Sequence, residues 1–290
     1  MKEIVVISGK GGTGKTSLTS AFAALAENPV LADCDVDAAD LHLILQPEVT
    51  CRTEFFSGNE AVVNQNKCSG CTLCGTICRF DAVTVEEGTV RIDAAACEGC
   101  GVCVAFCPEE AMEFPVRQCG EWYESKTRYG TMIHARLGIA AENSGKLVSL
   151  VRKEARRAAS DSADFILVDG PPGTGCPVIA SVTGADAVVV VTEPTLSGKH
   201  DLVRVMKLTA HFGIKTYVCV NKWDLNVENS RAIKELTALY GNTFLGMVPY
   251  SQEITKAQIA GQSIIEYGND ELKEKFTEIW NNLVKLTKGN

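Results

Sequence analysis

The sequence has no apolar run approaching the ~20 residues that cross a bilayer. Its opening, Met1-Lys2-Glu3-Ile4-Val5-Val6-Ile7, is too short and too soon followed by glycines to be a secretory leader. Basic charge is not in excess. The 28 Lys and Arg stand against 36 Asp and Glu, a net of −8, which weighs against nucleic acid as the main partner. Low-complexity and collagen-like character are also missing. With 25 Gly and 9 Pro in 290 residues, 46% hydrophobic and 22% charged, this is ordinary globular composition. A chain of this length buries a full core without disulfides. These absences together lead us to expect a soluble, cytoplasmic protein with neither membrane nor DNA as partner.

Cysteine, by contrast, is abundant. There are 13, and without a leader they are read as metal ligands rather than disulfides. Eight fall between residues 60 and 116, where nine acidic and three basic residues give a local net of −6; the rest of the chain carries only −2. The same stretch contains an internal repeat. Cys68-Ser-Gly-Cys71-Thr-Leu-Cys74-Gly-Thr-Ile-Cys78 returns 29 residues later as Cys97-Glu-Gly-Cys100-Gly-Val-Cys103-Val-Ala-Phe-Cys107.

Outside this stretch the chain alternates buried strands with helices. Strands are expected at 2–8, 30–32, 165–168, 187–191, 216–220 and 243–248. Helices are expected at 15–26, 145–159, 198–212, 227–240 and 270–286. Continuous apolar strands between helices imply an α/β fold with a mostly parallel sheet covered on both faces. That domain is expected over 1–59 and 117–290, with a small α+β domain inserted at 60–116.

Directly after the first strand, Gly9-Lys10-Gly11-Gly12-Thr13-Gly14-Lys15-Thr16 matches G-x-x-x-x-G-K-[ST] and leads, through Ser17, into a helix. Glycines let successive backbone N–H groups turn towards phosphate oxygens; Lys15 adds charge at the β/γ phosphates, and the Thr16 hydroxyl can ligate Mg²⁺. Asp33 and Asp35 follow the second strand, where carboxylates can orient a water or contact the metal. Asp169 follows the 165–168 strand, the place of a carboxylate that holds Mg²⁺ through water.

With Lys10 inside the loop, the chain resembles P-loop ATPases of the MinD/ParA/Mrp/nitrogenase-iron-protein class with a deviant Walker A motif. The resemblance implies that Asp33 and Asp35 lie in switch I and Asp169 to Gly175 in switch II. It places Asn221 and Pro249 beside the adenine of ATP or ADP. It also implies an ATP-dependent homodimer, or a dimer with a related ATPase, in which Lys10 reaches the partner's phosphates.

The doubled cysteine run resembles a bacterial two-cluster ferredoxin. In that pattern three closely spaced thiolates hold one [4Fe–4S] cube and the fourth crosses to the other. Cys68, Cys71, Cys74 and Cys107 are thereby assigned to one cluster, and Cys97, Cys100, Cys103 and Cys78 to the second. Arg79 stands where the second repeat has Pro108. The whole implies an ATPase that couples nucleotide state to electron transfer or to metallocluster assembly on a redox or metallocluster partner. The alternative is a positioning ATPase that switches its attachment to DNA, membrane or protein.

Five cysteines remain. Cys219 reads as core, while Cys34 and Cys51 carry no pattern. Cys176, seven residues after Asp169, sits at the offset of the bridging cluster ligand of the nitrogenase iron protein. The second such ligand is expected near 141–145, where there is no cysteine; Cys119 is the available substitute, and the alternative is that Cys176 is an ordinary switch-adjacent thiol. Arg152, Lys153, Arg156 and Arg157 read as a solvated basic helix face. Phe276, Ile279, Trp280 and Leu283 read as the core-facing stripe of the last helix.

Overall fold

The computed structural model describes residues 1–138, 143–159 and 163–289. The chain forms two compact units. Met1–Thr53, Trp122–Arg136 and Ser144–Asn290 make the first; Glu54–Glu121 and Leu137–Asn143 make the second. The expected insertion, 60–116, lies within the second.

The strands in chain order are β1 Lys2–Ser8, β2 Val30–Asp33, β3 Glu48–Asn59, β4 Val62–Val63, β5 Val83–Glu86, β6 Thr89–Ile92, β7 Met112–Glu113, β8 Val116–Lys126, β9 Thr131–Leu137, β10 Phe165–Pro172, β11 Ala187–Thr192, β12 Lys215–Asn221 and β13 Thr243–Val248. The helices are α1 Lys15–Leu25, α2 Leu41–Leu45, α3 Leu73–Ile77, α4 Val102–Ala105, α5 Ser144–Ala158, α6 Cys176–Val182, α7 Leu196–His211, α8 Val227–Leu239, α9 Gln252–Ile259, α10 Ile264–Tyr267 and α11 Asp270–Lys288.

The main sheet runs β13-β12-β11-β1-β10-β2-β9-β8-β3, and every neighbouring pair from β13 to β9 is parallel. Its central strands carry continuous apolar runs, as sheets covered on both faces do; Ile4 to Ile7 and Ala187 to Val190 are wholly buried. The last helix packs its stripe inward as expected, with Phe276, Ile279, Trp280 and Leu283 buried and the Trp280 ring 5.1 Å from those of Phe22 and Phe165. Helix starts are chemically marked: Thr195, Asn226, Ser251, Ser263 and Asn269 each cap a first turn with a side-chain oxygen.

Parts of the chain differ from expectation. Three strands, β3, β8 and β9, occupy stretches with no assigned strand. The basic face of α5 is not simply solvated. Arg152 is buried and donates to Glu3 Oε1 at 2.6 Å and to the carbonyls of Ala180 and Thr183. Arg156 donates to the other Glu3 oxygen at 2.7 Å. Residues four apart on a helix share a face, so this pair ties α5 to β1 and α6.

The second unit reproduces its sequence repeat in its backbone. Positive φ falls at Gly70, Thr72 and Asp81, and again 29 residues later at Gly99, Gly101 and Glu110. The exchange is reciprocal: Asn64 N–H donates to Ala111 O and Asp93 N–H to Ala82 O, both at 2.8 Å. Hence β4 pairs antiparallel with β7, and β5 with β6. The start of each half thus bonds to the end of the other.

Candidate functional site

The phosphate loop joins β1 to α1 at the C-terminal ends of the parallel strands, the edge where open α/β sheets bind ligands. A cleft of about 440 Å³ opens there, lined on one side by Gly11, Gly12, Gly14, Lys15, Thr16 and Ser17. Asp35, Asp40 and Pro172 approach from the loops after β2 and in β10, and Asn221, Lys222 and Pro249 from the loops after β12 and β13. Tyr250, Ser251 and Gln258 complete the wall.

Local packing fixes the loop. Gly14 has φ +94°, and a Cβ there would come 2.3 Å from Asn221 Nδ2, so glycine is required twice over. The Asn221 amide donates to Thr13 O at 2.8 Å, tying the end of β12 to the phosphate loop. Gln258 donates to Ser17 Oγ at 2.9 Å from α9.

The charged residues lie in layers. Lys15 is buried, with its ammonium 3.7 Å from Asp35. Burial lifts the Asp35 pKa to about 6, with Lys15 opposing. Asp33 is fully buried behind it and accepts from the N–H groups of Asp35 and Leu41. Asp169 is also buried and accepts from Thr19 Oγ1 at 3.0 Å. Burial raises the pKa of both carboxyls; at Asp33 the nearby Asp169 adds to the rise, and at Asp169 the Lys15 cation opposes it. Such a site favours binding of a cation. Lys10 points elsewhere, with its ammonium 3.4 Å from Glu193 and 3.5 Å from Ser197 Oγ. Glu193 also accepts from Lys222.

Of the expected residues, Gly9, Lys10, Thr13, Asp33 and Asp169 do not line the cleft; the other loop residues, Asp35, Asn221 and Pro249 do. Glu193, Tyr250 and Gln258 carried no sequence signal. Glu193 follows β11, Tyr250 follows β13 and Gln258 lies on α9, so only the fold brings them to this edge of the sheet.

In the second unit, Cys68, Cys71, Cys74 and Cys107 line one cavity, together with Cys103. Burial raises the Cys74 thiol pKa, and neighbouring Cys68 and Cys71 add to it; Cys97 and Cys100 act likewise on half-buried Cys103. Ala111 N–H points at Cys107 Sγ, 3.3 Å away. Among the described residues, no group of three or more His, Cys, Asp or Glu side chains is ready-made to hold a single metal ion. Cys176 is exposed, and buried Cys119 donates to Ser57 O at 2.8 Å. Residues 141–142 of the stretch expected to hold a second bridging ligand lie outside the described residues.

A glycine loop feeding a helix, a buried lysine and carboxylates at the ends of parallel strands define a P-loop nucleotide-binding protein. The chain belongs to the CobQ/CobB/MinD/ParA nucleotide binding domain family, whose model matches residues 4–264. It is 29% identical over 284 residues to an uncharacterized protein of Methanocaldococcus jannaschii, covering 97% of this chain and 96% of that one. An iron-sulfur cluster carrier protein of Pyrococcus furiosus is 28% identical over 158 residues, 48% of this chain and 53% of that protein. Among solved structures, the septum site-determining protein MinD complexed with Mg-ADP, from Pyrococcus horikoshii, is similar in fold. Its TM-score is 0.59 with 18% identity, covering 98% of this chain and 96% of that one. No helix among the described residues is long and apolar enough to cross a membrane.

Proposed function

We propose that this protein is a Mg²⁺-dependent ATPase whose nucleotide state is coupled to two [4Fe–4S] clusters, serving electron transfer or metallocluster assembly on a redox or metallocluster partner. The observation that carries the reading is the cavity lined by Cys68, Cys71, Cys74 and Cys107, in a chain that also has a phosphate-loop cleft. Those are the three close thiols of one run and the crossing fourth of the other, the donor set a cube takes. A cube binds one thiolate at each iron corner, so its ligands surround a volume instead of converging on one point. The Ala111 N–H near Cys107 Sγ suits a thiolate, since a hydrogen bond to the charged form favours that form. The reciprocal pairing of the two halves supports the same crossing for Cys78, with Cys97, Cys100 and Cys103. Bound there, the clusters would supply one-electron redox chemistry.

At the cleft, Lys15 and the loop amides would hold phosphate oxygens, and Thr16 and Asp169 would hold Mg²⁺, Asp169 through water. Asp35 would leave Lys15 and orient the attacking water. Lys10 would leave Glu193 for the phosphates of a second subunit in an ATP-dependent homodimer or a dimer with a related ATPase. The domain boundaries we propose are 1–59 and 117–290 for the ATPase and 60–116 for the ferredoxin-like insertion.

Anaerobically purified protein is expected to carry about eight iron and eight sulfide per chain. Cys74→Ser should damage one cluster, and Cys78→Ser the one built on Cys97, Cys100 and Cys103. Stoichiometric zinc without visible iron–thiolate absorbance would overturn the reading.

The fold likeness to MinD favours a second reading, a positioning ATPase that switches attachment to DNA, membrane or protein. Against membrane attachment through the last helix, its apolar stripe is spent in the core.

A further inference from the structure

Arg128 lies in the turn between β8 and β9, and its guanidinium makes five hydrogen bonds. Nε and Nη2 grip the Glu266 carboxylate at 2.7 and 2.8 Å. Nη1 donates to Leu45 O at 3.0 Å, and Nη2 to Ile44 O at 3.1 Å and Gly261 O at 3.2 Å. Glu266 is itself fixed, because it accepts from Ser263 N–H at 2.7 Å and closes the capping box of α10. The fork is therefore aimed before it meets α2.

Ile44 and Leu45 end α2, and the last carbonyls of a helix have no partner within it. One arginine fork satisfies two of them; a lysine, a single point charge on a flexible stem, does not reproduce that geometry. At the other end of α2, Leu41 N–H donates to Asp33 Oδ2 at 3.3 Å, while Asp33 Oδ1 accepts from Asp35 N–H. A helix of five residues does not persist on its own hydrogen bonds. Its place is set by the burial of Leu41, Ile44 and Leu45 and by these two polar anchors. One anchor is the buried carboxylate behind the cleft, and the other is Arg128.

We propose that Arg128 is a positioning residue for the nucleotide site: by holding the end of α2, whose other end is anchored on Asp33, it sets where Asp35 stands relative to Lys15. The proposal deepens the ATPase reading and rests on it for its kinetic consequence. Without the clamp, α2 keeps its apolar contacts but gains freedom along its axis, and the loop between Asp33 and Leu41 moves with it. The phosphate loop keeps its tie to Asn221 at the end of β12, which Arg128 does not touch. Binding and turnover should therefore separate.

The test uses the full chain with Arg128→Ala, Arg128→Lys and Glu266→Gln. ATP hydrolysis, thermal midpoint and backbone amide exchange across residues 33–45 are measured on each. We expect kcat to fall roughly 10–100-fold in both Arg128 variants, the scale of a misplacement of about 1 Å. KM should change less than about threefold, because ground-state binding is kept. Exchange should rise across 33–45, and Glu266→Gln should move both readouts the same way by less. Unchanged exchange there, or a loss of turnover that merely tracks global unfolding, would overturn the proposal. If Arg128→Ala does not fold, Glu266→Gln decides by the same two readouts. If the wild-type protein hydrolyses no ATP, the ATPase reading fails, and exchange alone still decides whether Arg128 anchors the segment.

Discussion

Two lysines of one loop have different surroundings, and that difference predicts different phenotypes. Lys15 is buried against Asp35, whereas Lys10 is about one-third exposed and held by Glu193 and Ser197. A charge-assisted bond to phosphate contributes roughly 1.5–3 kcal/mol. Lys15→Ala should accordingly weaken ATP binding by about 10–150-fold, measured by calorimetry. Lys10→Ala should leave affinity within about threefold but abolish hydrolysis, because its target lies in the second subunit. Normal turnover by that variant would remove the shared-site reading. His134 yields a pH prediction. It is buried, lies 2.9 Å from Ser125 Oγ and stacks on Tyr123, and burial, with His42 nearby, pushes its pKa down to about 4. The unfolded state takes up its proton near pH 6.5, but the folded state not until about 4. Stability should therefore be fully present above pH 6.5 and decline as pH falls towards 4, by roughly 3 kcal/mol at this group. Urea midpoints across that range should decline less in His134→Gln. The phosphate loop was legible because its spacing is itself the chemistry. Glu193 and Gln258 were not, because nothing local marks a residue that acts on a loop distant in sequence.

At the scale of elements, legibility followed burial. Strands covered on both faces, such as β1 and β11, announce themselves as apolar runs. Most of β3 is exposed or half-buried, so Glu48 to Asn59 lacks such a run and was not assigned. The basic stripe on α5 is solvated at Lys153, Arg156 and Arg157, as expected, but not at Arg152: a charge pattern does not tell whether an arginine meets water or a buried Glu3. The cysteine repeat was legible as a repeat, and its backbone consequence is specific. Gly99 has φ +61°, and a Cβ there would come 2.2 Å from Asn59 O. Its counterpart Gly70, φ +71°, would meet Gly88 O at 2.5 Å. Both partners are backbone and cannot swing aside. Gly99→Ala should therefore displace the turn between Cys97 and Cys100, and Gly70→Ala the turn between Cys68 and Cys71. Each variant is expected to lose iron from its own half first, which iron content and electron paramagnetic resonance would show. Full, native-like loading of both variants would mean that these turns do not shape the ligand set.

For the whole molecule, the proposed coupling has a thermodynamic signature independent of any partner. A ligand shifts an equilibrium only by its different affinity for two states. If ATP changes the reduction potential of a cluster, reduction must change ATP affinity by the same factor. Typical couplings of ~1–3 kcal/mol correspond to roughly 5–150-fold in affinity, or about 40–130 mV for a one-electron couple. The charge placement sets a direction for the starting point. The stretch 60–116 carries a net of −6, so adding an electron there is opposed and potentials should be low. Chain order gives a route for the coupling: α2 follows the Asp33–Asp40 segment and leads into β3, along which the chain enters the second unit. Potentials measured without nucleotide, with ADP and with a non-hydrolysable ATP analogue should differ within that range. ATP affinity measured on oxidised and reduced protein should then differ by the matching factor. Identical potentials in all three states would deprive electron transfer of its thermodynamic basis and leave cluster assembly or positioning as the function. Unequal potentials without the reciprocal change in affinity would mean that the two measurements had not reached the same equilibrium.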